Sequence, residues 1–445
     1  METRLFSNRD LQKLIIPIIV EQFLLIFVGL ADSIMVASVG EAAVSAVSLI
    51  DTIMVLLINA FAAIGIGGGV IAGQALGRKK PEEGCEATEQ LLLFCAAFSI
   101  LIMAVLYLGK GFVLHVVFGK IDAEVMRNCS IYLMIVNASI PFIALYNAGA
   151  AVFRAMGDSK TAMYMSVLMN GLNIAGNAVM IYGLKMGVAG AAIPTMLSRV
   201  VGGVIMLCLL KNPSKILHVR SYIKIRPDFR MMKKILHIGI PYGLENSMFQ
   251  LGKILVLSLV SGFGTVSIAA NAVCNCVCGF AVVGGMSMGY ALSSVTARCV
   301  GAGDYEQVRY YSRKLLALSY AALVIMNAIL MLLLPAIIRI YNLSPETGEI
   351  ATKIIIYHAI CSCLWWAPSF TLPNTLRAAN DATFCMITAI LSMWIFRIAF
   401  SYLLALTFDL GVFGVWVAMT IDWLFRAILF VRRYLGTKWQ HALGH

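Results

Sequence analysis

Glu21 and Asp32 lie inside a single apolar stretch, Leu11 to Gly40, which reads LQKLIIPIIVEQFLLIFVGLADSIMVASVG. An ionised side chain at bilayer depth costs about 2.5–3.5 kcal/mol on insertion scales, so one kept there faces an ion, a partner or an aqueous chamber. Such a carboxylate can hold a cation or a proton and release it again. Asp32 is the first candidate for that chemistry, set against the plainer reading of an acid that snorkels to the headgroups or bonds a neighbouring helix. Glu245, in IPYGLEN, lies at the start of a later apolar run, at the place equivalent to Glu21. His358, beside Tyr357 in another apolar run, has the side chain for proton transfer, although a lone histidine in a span is more often a hydrogen-bonded helix contact. Asp422 and Arg426 are four apart on one apolar run and are expected to neutralise each other. Arg199, Lys253 and Arg397, also inside apolar runs, are expected to answer acids or backbone carbonyls.

The elements that hold these residues must be membrane helices. Hydrophobic residues make up 60% of the 445-residue chain and charged ones 13%, against about 45–50% and 25% in a soluble domain. Apolar runs long enough to span, about 20 residues each, begin near Leu11, Val44, Glu89, Val125, Thr161, Val188, Ile235, Ile268, Leu315, Ile350, Thr383 and Val412. The expected fold is an all-α integral membrane protein of about twelve transmembrane helices. With the N-terminus inside, 24 of the 34 Lys and Arg fall in segments on the inner side and 6 on the outer, so both termini are expected to be cytoplasmic. That asymmetry accounts for the net charge of +12 without nucleic acid. The first run lacks a small-residue cleavage pattern and reads as a retained span. The eleven cysteines form no disulfide framework and read as small buried apolar residues.

The second half of the chain restates the first. Pro17 and Glu21 recur as Pro241 and Glu245, Gly40 as Gly264, Gly65 as Gly289 and Gly77 as Gly301, all 224 residues on. FRAMGDSK (Phe153 to Lys160) recurs as LRAANDAT, and GVAGAA from Gly187 as GVFGVW from Gly411. Two six-helix bundles follow, residues 1–210 and 235–445, joined by a basic, solvated cytoplasmic linker over 211–234. An even number of spans per copy makes the repeat parallel, with pseudo-symmetry about the membrane normal. Gly65, Gly69, Gly73 and Gly77 strip one helix face for close packing. GQALGRKK from Gly73 has the wrong spacing for a phosphate loop, so no ATP motor is expected. No HExxH, paired-acid or nucleophile–base pattern marks an enzyme.

The order of GLADSIMVASVG, IPYGLEN, FRAMGDSK and NIAGN…GVAGAAIPT, together with the duplication, resembles the multidrug and toxic compound extrusion (MATE) family over nearly the whole chain. The resemblance implies two V-shaped lobes and a secondary active exporter of small amphipathic or cationic organic compounds. It implies antiport against Na+ or H+ by alternating access, with no other cofactor. Asp32 matches the family's first-helix acid, and Asn173 and Thr195 match polar residues that line a cation site with it. Asn177 falls where some members have a second Asp; it offers a carbonyl oxygen but cannot carry a proton. Asp32, Asn173, Asn177 and Thr195 thus form an expected oxygen set for Na+. Glu245 matches a seventh-helix acid used for coupling in part of the family, with Glu21 and His358 as further candidates. The tenth span, where the sodium-coupled branch often has an acid, has none between Ile350 and Asn380. A functional monomer in a bacterial inner membrane is expected. The rival within the same superfamily is a lipid-linked precursor flippase, which would need a cluster of Arg and Lys for a pyrophosphate headgroup.

Overall fold

The computed structural model describes residues 4–441, and among them the regular secondary structure is entirely helical. The first half comprises α1 (Asn8–Ala37), α2 (Glu41–Gly77), α3 (Pro81–Leu108), α4 (Ala123–Asn137), α5 (Ile140–Ala155), α6 (Ser159–Asn177) and α7 (Ala189–Leu210). The second comprises α8 (Phe229–Ser261), α9 (Thr265–Ala281), α10 (Val283–Gly301), α11 (Tyr305–Ile340), α12 (Pro345–Ala378), α13 (Ala382–Thr407) and α14 (Gly411–Leu435). Two of the expected spans are bent pairs: α4 and α5 meet at 50°, α9 and α10 at 47°. At the first bend Pro141 cannot donate a hydrogen bond back to the residue 137 carbonyl, so the helix restarts there. Counting each pair once gives twelve helical segments, six in each half, ten of them long and apolar enough to cross a bilayer.

Eight helices, and both bent pairs, are long and apolar enough to cross a bilayer. The two remaining segments, α6 and α8, carry the polar side chains of interest: Asn170, Asn173 and Asn177 on one, Glu245 and Lys253 on the other. Large apolar side chains such as Ile34, Leu108 and Leu332 stand 70–89% exposed, as lipid-facing residues do.

The chain divides into two compact units, Asn8–Gly243 and Leu244 onward, the latter including the N-terminal residues up to Ser7. Within the second unit the Phe6 amide donates to the Tyr311 hydroxyl at 2.9 Å, which donates back to the Phe6 carbonyl at 2.7 Å. In the first unit, a Cβ on Gly65 or Gly69 would lie 3.1 and 3.0 Å from the carbonyl oxygens of Asn147 and Ala151, so these glycines let α2 and α5 approach backbone to backbone. Gly67 does the same against the start of α8, where a Cβ would meet the Ile235 oxygen at 2.6 Å.

The 211–228 stretch departs from a freely solvated linker. Lys215 pairs with Asp158 at 3.0 Å, the Arg220 amide donates to Glu89 at 3.0 Å, and Gln90 donates to the Arg226 carbonyl at 2.7 Å while accepting from the Asp228 amide at 2.9 Å. Acids at the start of α3 and α6 answer the linker's basic groups and amides, which folds it onto the first unit.

Candidate functional site

Three helices of the first unit converge on Asp32. Asn173 and Asn177 are one turn apart on α6 and share a face. The helix then continues as a π turn over Ala178–Gly183, a distortion frequent at functional sites. Gly176 brings α6 against α7, since a Cβ there would lie 2.7 Å from the Pro194 ring. Thr195 is the next residue along.

The side chains form a continuous chain of hydrogen bonds. The Asn177 amide donates to the Asp32 carboxylate at 2.5 Å and to the Asn173 carbonyl oxygen at 3.3 Å. Asn173 donates to the Thr195 hydroxyl at 3.0 Å, and that hydroxyl donates to the Ala191 carbonyl at 2.9 Å. Asn177 is fully buried, and its side-chain oxygen has no hydrogen-bond partner. A buried acceptor left unpaired costs about 1–3 kcal/mol. The donor set has the chemistry to bind a small hard cation: one carboxylate, two amide oxygens and a hydroxyl.

Sequence reading missed a second carboxylate. Asp51, on α2, accepts from the Tyr132 hydroxyl of α4 at 3.3 Å. Arg199, on α7, interacts electrostatically with Asp32, Asp51 and Tyr132, and donates to the Ser139 hydroxyl at 3.2 Å. The first unit therefore has two acids here instead of the single one expected from Asn177 alone, with one guanidinium that interacts with both. The available signal was an Asp inside SLIDTIMVLL, an apolar run like that around Asp32.

Glu21 and Glu245 lie elsewhere. Both Glu21 oxygens accept from the Arg154 Nη2 at 2.8 Å, and both Glu245 oxygens from the Arg377 Nη2 at 2.7 Å. Arg377 is buried and Arg154 partly so, in ion pairs related by the repeat. Their signal was also in the sequence: both stand second in the duplicated FRAMGDSK and LRAANDAT motifs. His358 is buried edge-on against Trp416 and Trp423, with ring centroids 5.7 and 5.3 Å away, and its Nδ1 has no partner. Asp422 and Arg426 pair at 2.9 Å, with Ser392 donating to the same carboxylate oxygen at 2.5 Å.

The MatE family model matches residues 17–179 and again 241–403, once for each half of the duplication. The chain belongs to this family, the MATE transporters. It is 28% identical over 435 residues to the uncharacterized transporter YisQ of Bacillus subtilis, covering 95% of this chain and 93% of that one. It is 26% identical over 438 residues to the probable multidrug resistance protein NorM of Thermotoga maritima, covering 97% and 93%. The crystal structure of a MATE protein in its bent conformation shares the fold, with a TM-score of 0.88, 20% identity and coverage of 96% and 94%. The order of motifs therefore identified the MATE family correctly, and the fold is that of an all-α membrane transporter made of two six-helix bundles.

Proposed function

We propose that this MATE transporter exports small amphipathic or cationic organic compounds by antiport against Na+ or H+, with the Asp32 cluster as the coupling site. One observation carries the reading: Asp32, Asn177, Asn173 and Thr195 form one connected polar cluster in otherwise apolar helices, ending in a buried amide oxygen that has no hydrogen-bond partner among the described residues. A sodium ion would take that oxygen together with the carboxylate; a proton would sit on Asp32 itself. Asp51 and Arg199 set the charge around it, and Arg199 acts as a tethered cation that competes for Asp32 when the ion leaves. Coupling requires only that ion and substrate prefer different arrangements of the two halves, because a ligand shifts an equilibrium by no more than its differential affinity.

On this reading residues 1–210 and 235–445 are the two lobes, 211–234 connects them on the cytoplasmic side, both termini are cytoplasmic, and the functional unit is one chain in the cell membrane of a bacterium. The names of the relatives support efflux over catalysis and over the flippase alternative. In everted vesicles, Asp32→Asn should abolish ion-driven transport of a fluorescent organic cation while the protein still inserts. Wild-type transport by that variant would overturn the assignment.

A further inference from the structure

The duplication places a different chemistry at the corresponding position of the second half. NIAGN, residues 173–177, aligns with RIAFS, residues 397–401, at the same spacing of 224 that joins Pro17 to Pro241 and Gly187 to Gly411. Arg397 therefore replaces Asn173 and Ser401 replaces Asn177. At the same spacing Val256 replaces Asp32 and Met419 replaces Thr195. Every oxygen ligand of the first-half cluster but one hydroxyl is gone. One turn before Val256, where the first half has Gly29, the second has Lys253.

The two basic groups meet at one aromatic ring. Phe249 and Lys253 are four apart on α8 and share a face. The Lys253 ammonium lies 4.9 Å from the Phe249 ring centroid and the Arg397 guanidinium 4.7 Å from it. Gly252 makes the approach of α13 feasible, since a Cβ there would lie 2.8 Å from the Met393 sulfur. Among the described residues neither basic group has an ion pair. Arg397 is only 9% exposed and its Nη1 has no hydrogen-bond partner. The nearest acid, Asp422, already takes Arg426 and Ser392 on one oxygen, leaving its Oδ2 unpaired. Arg397 feels attraction from Asp422 opposed by repulsion from Arg426, and Lys253 feels repulsion from Arg397. Lys253 alone could reach water along its flexible stem; the buried guanidinium cannot.

The argument that made Asp32 a cation ligand applies here with the sign reversed: an uncompensated charge in a span calls for a counter-charge. We propose that Lys253 and Arg397 form an anion-binding site that takes the carboxylate of an amphipathic aromatic compound. The guanidinium fork matches two carboxylate oxygens, the ammonium adds a point charge, and the Phe249 ring offers a face for an aromatic body. This deepens the exporter reading by naming a substrate class, but the site's occupancy does not depend on which ion drives transport.

The test is binding to the purified full chain in phosphatidylcholine nanodiscs, with no gradient imposed. The probes are 1-pyrenebutyrate and its neutral counterpart 1-pyrenebutanol, which share one aromatic body. Wild type should prefer the carboxylate by about tenfold or more, the scale of a charge-assisted hydrogen bond lost or kept. Lys253→Gln and Arg397→Gln should each remove most of that preference without changing pyrenebutanol binding, and Arg397→Lys should keep part of it. Lys253→Gln, at the more accessible residue, serves if Arg397→Gln does not fold. Equal preference in wild type and Lys253→Gln would overturn the proposal. Loss of the wild-type preference when phosphatidylglycerol is added to the discs would assign the site to a lipid phosphate and overturn the organic carboxylate. Because no ion-driven step is measured, failure here would leave the Asp32 reading standing.

Discussion

Glu245→Leu should destabilise the second half strongly, and adding Arg377→Leu should recover most of the loss. Both Glu245 oxygens lie 2.7 Å from the Arg377 Nη2, and the two side chains are only 11% and 5% exposed. Removing the acid leaves a buried guanidinium whose other named hydrogen bond is to the Asn374 side-chain oxygen at 3.3 Å. Breaking one partner of such a pair costs about 3–5 kcal/mol, whereas replacing both with apolar residues is close to neutral. The single variants should therefore show a large loss and the double a small one, so that the coupling in a double-mutant cycle approaches the sum of the two single losses, about 6 kcal/mol or more. The assay is denaturant- or heat-induced unfolding of the detergent-solubilised protein, followed by size-exclusion fluorescence. Additive losses would refute the reasoning, because they would mean that the two residues do not depend on each other. The same four proteins separate two roles for Glu245. If the pair is structural, ion-driven efflux should return in the double variant; if Glu245 takes part in coupling, the double variant should fold and remain inactive.

Thr195→Val removes one oxygen from the cluster and the acceptor for Asn173; losing about 1 kcal/mol should raise the half-saturating concentration of the driving ion about fivefold in reconstituted vesicles. Asp51→Asn leaves Arg199 with Asp32 as its remaining carboxylate, and should cut ion-driven transport about tenfold through a competing internal ion pair, whereas Tyr132→Phe, which removes only the 3.3 Å hydrogen bond, should have a smaller effect. Gly67→Val would press a side chain on the Ile235 carbonyl and Gly239 amide and should cost about 1–3 kcal/mol of stability in the same unfolding assay. At Asp158, burial pushes the carboxyl pKa up, but hydrogen bonds from the Thr161 hydroxyl and amide and from Lys215 outweigh it and hold the group below its ordinary range. Its contribution is thus present above the ordinary carboxylate pKa and lost as pH falls through the depressed folded value. Hydrogen exchange over residues 215–219 should speed up as pH falls through that range, after correction for intrinsic rates, and Asp158→Asn should show the fast behaviour already at neutral pH.

Much of the architecture was written in plain form. Hydropathy and the 224-residue repeat located the twelve helical segments, ten of which are long and apolar enough to cross a bilayer, because lipid imposes a length and an apolar composition that few other environments require. Asp32, Asn173, Asn177 and Thr195 were also legible, and the structure brings them into one hydrogen-bonded chain. The arginine partners left only an indirect mark, their shared second place in FRAMGDSK and LRAANDAT, since Glu21 meets Arg154 and Glu245 meets Arg377 over more than 130 residues. Asp51 was passed over because a lone acid in an apolar run shows its meaning only when Tyr132 and Arg199 arrive from other helices. The linker's basic run read as a solvated segment, while the acids that hold it lie on distant helices.

On the proposed function, substrate and coupling ion compete through Asp32. The most direct measurement is made on purified wild-type protein and Asp32→Asn in weakly buffered solution: protons released, and sodium-23 displaced, when a transported organic cation binds. The account predicts a substoichiometric to one-for-one release of proton or sodium from wild type and none from Asp32→Asn. Equal release from both proteins would contradict it and move the coupling site elsewhere in the chain.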